Sequence, residues 1–483
     1  MNSEDLRRFL EVSVALTSER DREALLSNIL DTAMDIADCD AGTLYLLEND
    51  SLRFCRMVTR SMGVRQGGHD SPITLPPVPL EEKYVSAWCA IHSAAINVAD
   101  VRTDARFDFS GSIRYDGMTG YRTKSMLVVP MRNDRGELIG VTQLINALDP
   151  EGNAVPFPEE AVLLIEALSS QAAISITNMK YSQEITLLLD SLVTALSTAI
   201  DERSPYNANH TRNMVKYASA FLDWLSESKY PLSFTEEKRR AFIMSVWLHD
   251  VGKLAVPLEV MDKATRLGPL LGGIEDRLRA VALLGRIERL EGRRTEEEYA
   301  GLCSELDSAL ELIHRANGAG YLTDETLAGI EKLAGNTYTD EAGEEKPWLT
   351  AEELHCLTVR KGTLTPEERS VMQSHAAVTG KILENVYFPK SYSDVPRWAA
   401  AHHELLNGRG YPNGLRADAI PDEVRLLTIL DVFDALTARD RPYKPAMPLE
   451  KALAILRSMA DEGSVDGIIL ELFEKSKAWE ASQ

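Results

Sequence analysis

The sequence predicts a multidomain protein: an α+β domain with an antiparallel sheet, then a long helix, then an all-α domain. Three observations indicate this division. Apolar residues alternate with a period of two in the first third of the chain, in segments such as 42–47 and 125–131. Residues 159–199 then contain neither glycine nor proline and keep a helical period. The remainder repeats apolar residues at helical spacing, and a chain of 483 residues is too long for one core.

The composition excludes several classes of function. The net charge is −22 and no segment forms a basic block, so we expect no general nucleic-acid binding through phosphate neutralisation. The five cysteines are scattered, which argues against a disulfide framework and fits a reducing compartment. The first residues lack the pattern of a signal peptide, and we expect no later stretch to be long enough to span a bilayer. These features predict a cytoplasmic protein with no membrane association.

The N-terminal domain, residues 1–157, has the pattern of a sensor-sized α+β unit. Apolar residues recur at helical spacing over 6–37, which predicts helix. The period then changes to two, which predicts strands, at 42–47, 52–58, 125–131 and 138–145. A helix closes the unit, so we expect strands and helices packed on one core.

Four short segments of this domain resemble a GAF domain, most closely those of cyclic-nucleotide phosphodiesterases and adenylyl cyclases. They are residues 97–100, 104–108, 119–125 and 140–146. The resemblance implies the fold and a ligand-sensing role. The Asn-Lys-Phe-Asp-Glu signature of the purine-binding type is not kept, because Asn146 precedes Ala147 and Phe157 precedes Pro158. A cyclic nucleotide is therefore one hypothesis for the ligand, and the alternative is a domain that only dimerises or binds protein.

A coupling helix is predicted over residues 158–200. Apolar residues follow one another in steps of three and four, with Gln171 and Asn178 on the same seam. The apolar members of the seam are Leu164, Ala167, Ile174, Tyr181, Ile185, Leu188, Leu192 and Ala195. This spacing favours a coiled coil, and with it a parallel homodimer through the first domain and this helix. The alternative is an amphipathic helix packed on its own domain.

Histidines and aspartates beside apolar helical segments predict a metal centre in the last domain, residues 201–483. Adjacent imidazoles such as His402 and His403 cannot both point into a core, because successive side chains diverge on helix and strand alike. The predicted ligands are His210, His249, Asp250, His375, His402, His403 and Asp431. Imidazole and carboxylate suit iron, manganese, zinc or nickel. This set is large enough for two ions.

Asp250 and Lys253 are the predicted catalytic residues. Two cations close together require a bridging carboxylate, and Asp250 is the natural bridge. A water held between two cations loses its proton near neutral pH and attacks phosphorus. Lys253 follows Asp250 by one helical turn, so it would face the same site and assist the leaving oxygen.

From about Leu189 to its end the chain resembles the HD-GYP phosphodiesterases, a branch of the HD hydrolase superfamily. The resemblance is carried by residues 249–253, 402–404, 408–415 and 431–437. It implies the ligand set given above with two divalent ions, iron or manganese, and a third ion in some members. Where those members carry a glutamate this chain has Tyr206, and Asp201 and Glu202 are the nearest carboxylates.

The same resemblance implies a substrate and its contacts. The family hydrolyses cyclic di-GMP to linear pGpG, in part onward to GMP. Lys253, Arg441 and Lys444 would contact the substrate phosphates. The loop Gly410, Tyr411 and Pro412 would border the substrate cleft and offer a docking surface to diguanylate cyclases. An added residue within Arg439-Asp440 shifts the spacing before Arg441.

The sequence leaves two alternatives to this function open. One is another cyclic dinucleotide, such as cyclic GMP-AMP, as substrate. The other is a catalytically silent scaffold, since an insertion at 268–360 stands where the family has a short connection. The insertion has helical periodicity, which predicts a helical hairpin, and residues 335–347 are predicted to form an acidic loop. His314 and His355, in or beside the insertion, are expected to be surface or packing residues rather than ligands.

Overall fold

The computed structural model describes residue 19 and residues 21–203, 209–228, 230, 232–438 and 447–482. The chain divides into two compact units, and the boundary lies between Leu188 and Leu189. That boundary falls within the predicted coupling helix.

The N-terminal unit contains an antiparallel sheet in the order β3-β2-β1-β7-β6-β5, with β4 beside β2 and β8 beside β7. Its strands are β1 (Cys39–Glu48), β2 (Ser51–Thr59), β3 (Val64–Gln66), β4 (Val78–Pro79), β5 (Ile96–Val98), β6 (Met126–Arg132), β7 (Leu138–Leu148) and β8 (Ala154–Val155). Its helices are α1 (Arg22–Ile36), α2 (Val85–His92) and α3 (Ser110–Thr119). The strands predicted at 42–47, 52–58, 125–131 and 138–145 are confirmed. The helix predicted over 6–37 is confirmed for α1, and its first part lies outside the described residues.

Both faces of this sheet are covered. On one face Leu26 and Ile29 of α1 pack with Ile165 and Leu168 of the following long helix. On the other face α2 and a connecting segment contribute a second apolar cluster that includes Phe109. The sheet is therefore the middle layer of the α+β domain that the sequence predicts.

The coupling segment forms one helix of 43 residues, α4 (Glu159–Asp201). Its first half packs on the N-terminal core, whereas Ile185, Leu188 and Leu192 of the predicted seam are more than half exposed. The expectation that no stretch is long enough to span a bilayer is wrong for α4. This helix is long and apolar enough to do so, judged by length and composition alone. The reason is that α4 carries apolar residues both for its own domain core and for the exposed seam.

The second unit is mainly helical. Its helices are α5 (His210–Glu227), α6 (Glu236–Leu248), α7 (Leu258–Met261), α8 (Leu270–Leu290), α9 (Glu296–Gly318), α10 (Asp324–Leu333), α11 (Ala351–Leu357), α12 (Pro366–Leu383), α13 (Val395–Ala400), α14 (Asp422–Thr437), α15 (Leu449–Asp461) and α16 (Gly467–Ser476). A 3₁₀ turn, Val251–Ala255, follows α6. Phe221, Phe242, Phe433 and Phe473 are buried at the centre of the main core, which joins helices from before and after the insertion.

The insertion has a core of its own, formed by Leu278, Leu306, Ile313 and their neighbours. The predicted helical hairpin corresponds to α8 and α9. The acidic loop predicted at 335–347 is wrong, because β9 (Thr337–Thr339) and β10 (Glu345–Pro347) pair as an antiparallel hairpin. Asp340 accepts main-chain hydrogen bonds that close the turn, and Tyr338 packs on the insertion core. The all-α expectation for this domain is corrected at that hairpin.

Candidate metal centre

Five separate segments bring the predicted metal ligands together. His210 begins α5, and His249 and Asp250 follow the end of α6. His375 lies in α12, and Asp431 lies in α14. His402 and His403 follow α13. The structure thus places side chains that are far apart in sequence at one point where helices end or cross.

Asp250 lies between two groups of imidazoles. Its Oδ2 is 3.2 Å from His249 Nε2 and 3.7 Å from His210 Nε2. Its Oδ1 is 3.4 Å from His375 Nε2 and 3.8 Å from His402 Nε2. Each carboxylate oxygen therefore faces a different histidine pair, as a bridging ligand requires.

Asp431 also faces both sides of the site. Its Oδ1 is 3.3 Å from His210 Nε2, and its Oδ2 is 3.4 Å from His403 Nδ1. The described residues contain three sets of potential ligands, and within each set the ligand atoms lie within 4.8 Å of one another. They are His210, His249 and Asp431; His375, His402 and His403; and His249, Asp250 and His402.

The imidazole hydrogen bonds show that these groups fit cations. The Nδ1 atoms of His249, His375 and His402 each lie 2.6 Å from a main-chain carbonyl oxygen three residues earlier. Nδ1 must donate to that carbonyl, so in the neutral ring Nε2 carries a lone pair. The Nε2 atoms of His375 and His402 are 3.3 Å apart, as are those of His210 and His249.

At His375 and His402, two facing lone pairs at that distance repel each other unless a cation lies beside them. Asp250 Oδ1 is buried and accepts no hydrogen bond among the described residues. A buried carboxylate oxygen without a donor is costly, and a metal ion removes that cost. The donor set of neutral imidazoles and carboxylates therefore fits divalent transition metals.

The ionisation of His402, His403 and Asp250 agrees with metal binding. Burial, with help from neighbouring histidines, holds the pKa of His402 well below its usual range and lowers the pKa of His403 to about 4. Burial raises the pKa of Asp250, but the charge of Lys253 and contact with His249 outweigh it and hold that pKa well below the usual value. Neutral imidazoles and ionised carboxylates are the forms that bind metals.

His210 differs from the other imidazoles. Burial lowers its pKa, but Asp431 and Asp434 outweigh burial and raise it to about 10. Asp434 is nearly fully buried, and its Oδ2 lies 2.7 Å from His210 Nδ1. The carboxylate therefore orients the ring so that Nε2 faces Asp431. The sequence interpretation gave Asp434 no role, although its position one helical turn after Asp431 was a usable signal.

Lys253 lies where the sequence places it. Its Nζ is 2.6 Å from Asp250 Oδ2. Burial lowers the pKa of Lys253, but Asp250 outweighs burial and raises it. Lys253 therefore brings a fixed positive charge to the predicted bridging carboxylate.

A close contact between the turn after α6 and helix α12 holds the two halves of the site together. Gly252 N donates to Thr379 Oγ1 at 2.9 Å, and that hydroxyl donates to His249 O at 2.9 Å. A Cβ on Gly252 would lie 1.9 Å from His375 O. Glycine is therefore required for this approach. Thr379 was missed by sequence reasoning, because its role depends on contact between distant segments.

The loop that contains Gly410, Tyr411 and Pro412 borders the site. The Tyr411 ring lies 4.7 Å from the His403 ring. The buried carboxylate of Glu404 accepts hydrogen bonds from Asn413 N and Leu415 N, both at 2.7 Å. Glu404 thus fixes the loop beside the imidazoles.

Glu404→Gln is expected to lower the free energy of unfolding by about 1–3 kcal/mol, because the amide NH₂ leaves one main-chain N–H without an acceptor. Thermal unfolding measures the change. The matched control is Glu471→Gln on an exposed pair with Lys475, where the change should stay below about 0.5 kcal/mol. Equal midpoints of thermal unfolding for Glu404→Gln and Glu471→Gln would contradict a role of Glu404 in holding the loop.

Several predicted positions are not joined to this cluster. Arg441, Lys444 and Tyr206 lie outside the described residues, so the phosphate contacts remain predictions. Asp201 is buried and accepts from Thr211 Oγ1 at 3.1 Å, and it belongs to none of the three ligand sets found among the described residues. The sequence leaves a third ion open, and no ligand set among these residues adds one at Asp201.

Asn146 of the N-terminal unit has a structural role. It adopts φ 58°, and its side-chain oxygen accepts from Lys124 N at 2.7 Å. Its amide nitrogen donates to Arg122 O at 2.8 Å. These bonds fix the segment 121–125. A separate cavity of about 500 Å³ is lined by residues that include Arg22, Arg53 and Asp70.

Comparisons with known proteins identify two domain families in the chain. Residues 21–176 match the GAF domain family, and residues 351–469 match the HD domain family. The chain is 45% identical over 97 residues to 3′3′-cGAMP-specific phosphodiesterase 3 of Vibrio cholerae, which covers 20% of each chain. It is 29% identical over 207 residues to 3′3′-cGAMP-specific phosphodiesterase 1 of the same organism, covering 42% of this chain and 43% of the relative.

A third relative is the cyclic di-GMP phosphodiesterase of Thermotoga maritima, 36% identical over 104 residues, which are 22% of this chain and 28% of the relative. The matched segments therefore span less than half of these relatives. The HD domain match contains His375, His402, His403 and Asp431 and begins near the end of the insertion.

Proposed function

We propose that this protein, which contains a GAF domain followed by an HD domain, is a metal-dependent phosphodiesterase of the HD-GYP type. Its proposed substrate is cyclic di-GMP, which it opens to linear pGpG and in part cleaves onward to GMP. The observation that carries this proposal is the position of Asp250, whose two oxygens face two different histidine pairs. Such an arrangement suits two cations that act on one phosphodiester.

Two divalent ions, iron or manganese, would be held by two sets of side chains. One set is His210, His249 and Asp431 with Asp250 Oδ2, and the other is His375, His402 and His403 with Asp250 Oδ1. When bound, the ions would supply Lewis acidity and lower the pKa of a water near the phosphorus. The protein supplies fixed ligand orientation through the main-chain bonds of three imidazoles.

The remaining residues of the site bind and orient the substrate. The ammonium of Lys253 lies at Asp250 and is placed to stabilise or protonate the leaving oxygen. Gly410, Tyr411 and Pro412 would form one wall of the cleft, with the Tyr411 ring next to His403. Arg441 and Lys444 would contact the phosphates, which gives this acidic protein local positive charge for an anionic substrate.

A second candidate substrate is 3′3′-cyclic GMP-AMP. Two of the relatives described above are specific for that dinucleotide. The metal chemistry at the phosphodiester is the same for both substrates, so the choice depends on contacts to the bases.

Regulation is proposed to reach the catalytic domain, 201–483, from the sensor, 1–157, through the coupling helix, 158–200. The exposed apolar seam of α4 supports a parallel homodimer in the cytoplasm. A cyclic nucleotide is the proposed ligand of the GAF domain. The loop at Gly410 is a proposed contact for a diguanylate cyclase.

The test is hydrolysis of both dinucleotides by protein purified without oxygen and supplied with iron(II) or manganese(II). We expect turnover that favours cyclic di-GMP, and His402→Ala should abolish it because one ion loses an Nε2 ligand. His314→Ala is the control, since that histidine is exposed and pairs with Glu275. Preference for cyclic GMP-AMP would select the second candidate. Bound metal without turnover of either dinucleotide would contradict the enzyme and support a silent scaffold.

A further inference from the structure

The last turn of the coupling helix lies beside the catalytic lysine. Within the second unit, Ser197 and Ile200 of α4 are buried, so the end of this helix is fixed in the core. Asp201, its final residue, is also buried and accepts the Thr211 hydroxyl next to His210. The helix end is therefore held by packing and by a polar contact beside one predicted ligand.

Arg203 makes a second contact from the same helix end. Its Nη1 donates to Lys253 O at 2.7 Å and to Leu254 O at 2.6 Å. These carbonyls belong to the last residues of the 3₁₀ turn Val251–Ala255, and Lys253 O also accepts a hydrogen bond from Val256 N at 3.1 Å. A guanidinium satisfies both and is favoured at that end of the turn.

Lys253 links the Arg203 contact to the predicted catalytic site. Arg203 holds the main chain of Lys253, and the side chain of Lys253 lies 2.6 Å from Asp250 Oδ2. Gly252 of the same turn is fixed against α12 on its other side. The turn is thus clamped between the coupling helix and the helix that carries His375. A shift of α4 along or about its axis would move Lys253 relative to Asp250.

We propose that Arg203 is a positioning residue that couples the end of α4 to the placement of the Lys253 ammonium. The consequence for catalysis rests on the proposed function, whereas the effect on the turn does not. Among the described residues, the Arg203 side chain donates hydrogen bonds to two main-chain oxygens of the turn. Its removal therefore deletes the coupling while every predicted metal ligand and Lys253 itself remain.

The experiment compares Arg203→Ala and Arg203→Lys with Arg212→Ala in the full-length protein. Arg212 is the matched control, because its guanidinium also contacts α4, at Thr198 Oγ1, but does not touch the turn. Hydrogen exchange of residues 251–256 reports the turn without any substrate. Loss of hydrogen bonds from a charged donor should speed exchange in Arg203→Ala about tenfold or more.

In the same proteins we expect kcat to fall about tenfold in Arg203→Ala with KM and bound metal unchanged, because transition-state positioning is lost and ligation is not. Arg203→Lys should recover part of kcat, and Arg212→Ala should match the unmodified protein. Unchanged exchange at 251–256 would overturn the proposal. Loss of metal in Arg203→Ala would also overturn it, since the residue would then support ligation. If the unmodified protein hydrolyses neither dinucleotide, the proposed function fails, and the exchange data still decide the role of Arg203.

Discussion

Asp250→Ala is expected to lower turnover by more than about 100-fold and to release metal from the protein. Loss of a residue that merely supports a ligand already costs about 10–100-fold, and Asp250 is the predicted bridge itself. Without this carboxylate, the two imidazole groups that it separates would lose one of the two negative charges that face them both, and Asp431 would be the other. Metal analysis of the purified protein and steady-state kinetics measure the two effects.

Two further variants test the reason for that loss. Asp250→Asn keeps the size of the side chain but removes its charge, so it should also lose metal and turnover. Asp223→Ala is the control, because Asp223 is exposed, pairs with Arg239 and belongs to none of the ligand sets found among the described residues. If Asp250→Ala retained two ions and most of its turnover, Asp250 would not be the bridge and the proposed arrangement of ligands would fall.

Gly252→Ala is expected to destabilise the second unit and to weaken metal binding, although position 252 carries no ligand. The added Cβ would lie 1.9 Å from His375 O and 2.6 Å from Thr379 N, both main-chain atoms that cannot rotate away. Overpacking of this kind costs about 1–3 kcal/mol. The turn and α12 must separate, which moves Asp250 away from His375. We therefore expect metal affinity to fall by about 10–100-fold as well.

Thermal unfolding measures the stability of Gly252→Ala, and metal titration measures its metal affinity. Gly273→Ala is a matched control, since Gly273 lies within α8 and a Cβ there meets no atom within 4 Å. Alanine is the better helix residue, so the control should be neutral or more stable by about 0.5–1 kcal/mol. Equal stability and metal affinity in Gly252→Ala and the unmodified protein would contradict a role of glycine in holding the turn against α12.

Much of the site could be predicted because its ligands leave local signals. Adjacent His402 and His403 have diverging side chains, and His249 with Asp250 ends an apolar helix, so each pair points to chemistry without knowledge of the fold. The strands of the first domain could also be predicted, since period-two alternation follows directly from burial on a sheet. The metal ligation itself remains a prediction.

Other features depend on contacts between distant segments. Thr379 resembles any threonine in a helix, and only the approach of Gly252 makes its hydroxyl a link between the two halves of the site. The hairpin of β9 and β10 was predicted as a loop, because its residues are short of apolar alternation and Tyr338 gains its partners from the insertion core. The Arg203 guanidinium likewise donates to main-chain oxygens of the turn, and no sequence pattern reveals such a contact.

The source of the hydrogen bond at each imidazole determines how the site tolerates change during evolution. His249, His375 and His402 are oriented by carbonyl groups of their own segments, and every amino acid supplies that carbonyl. A substitution at residue 246, 372 or 399 therefore keeps the carbonyl that sets the tautomer, although Val246 and Ala399 are also buried in the main core. His210 is not oriented by a main-chain carbonyl in this way, because its orientation depends on the side chain of Asp434. Among these four predicted ligands, His210 alone depends on a second side chain for its orientation.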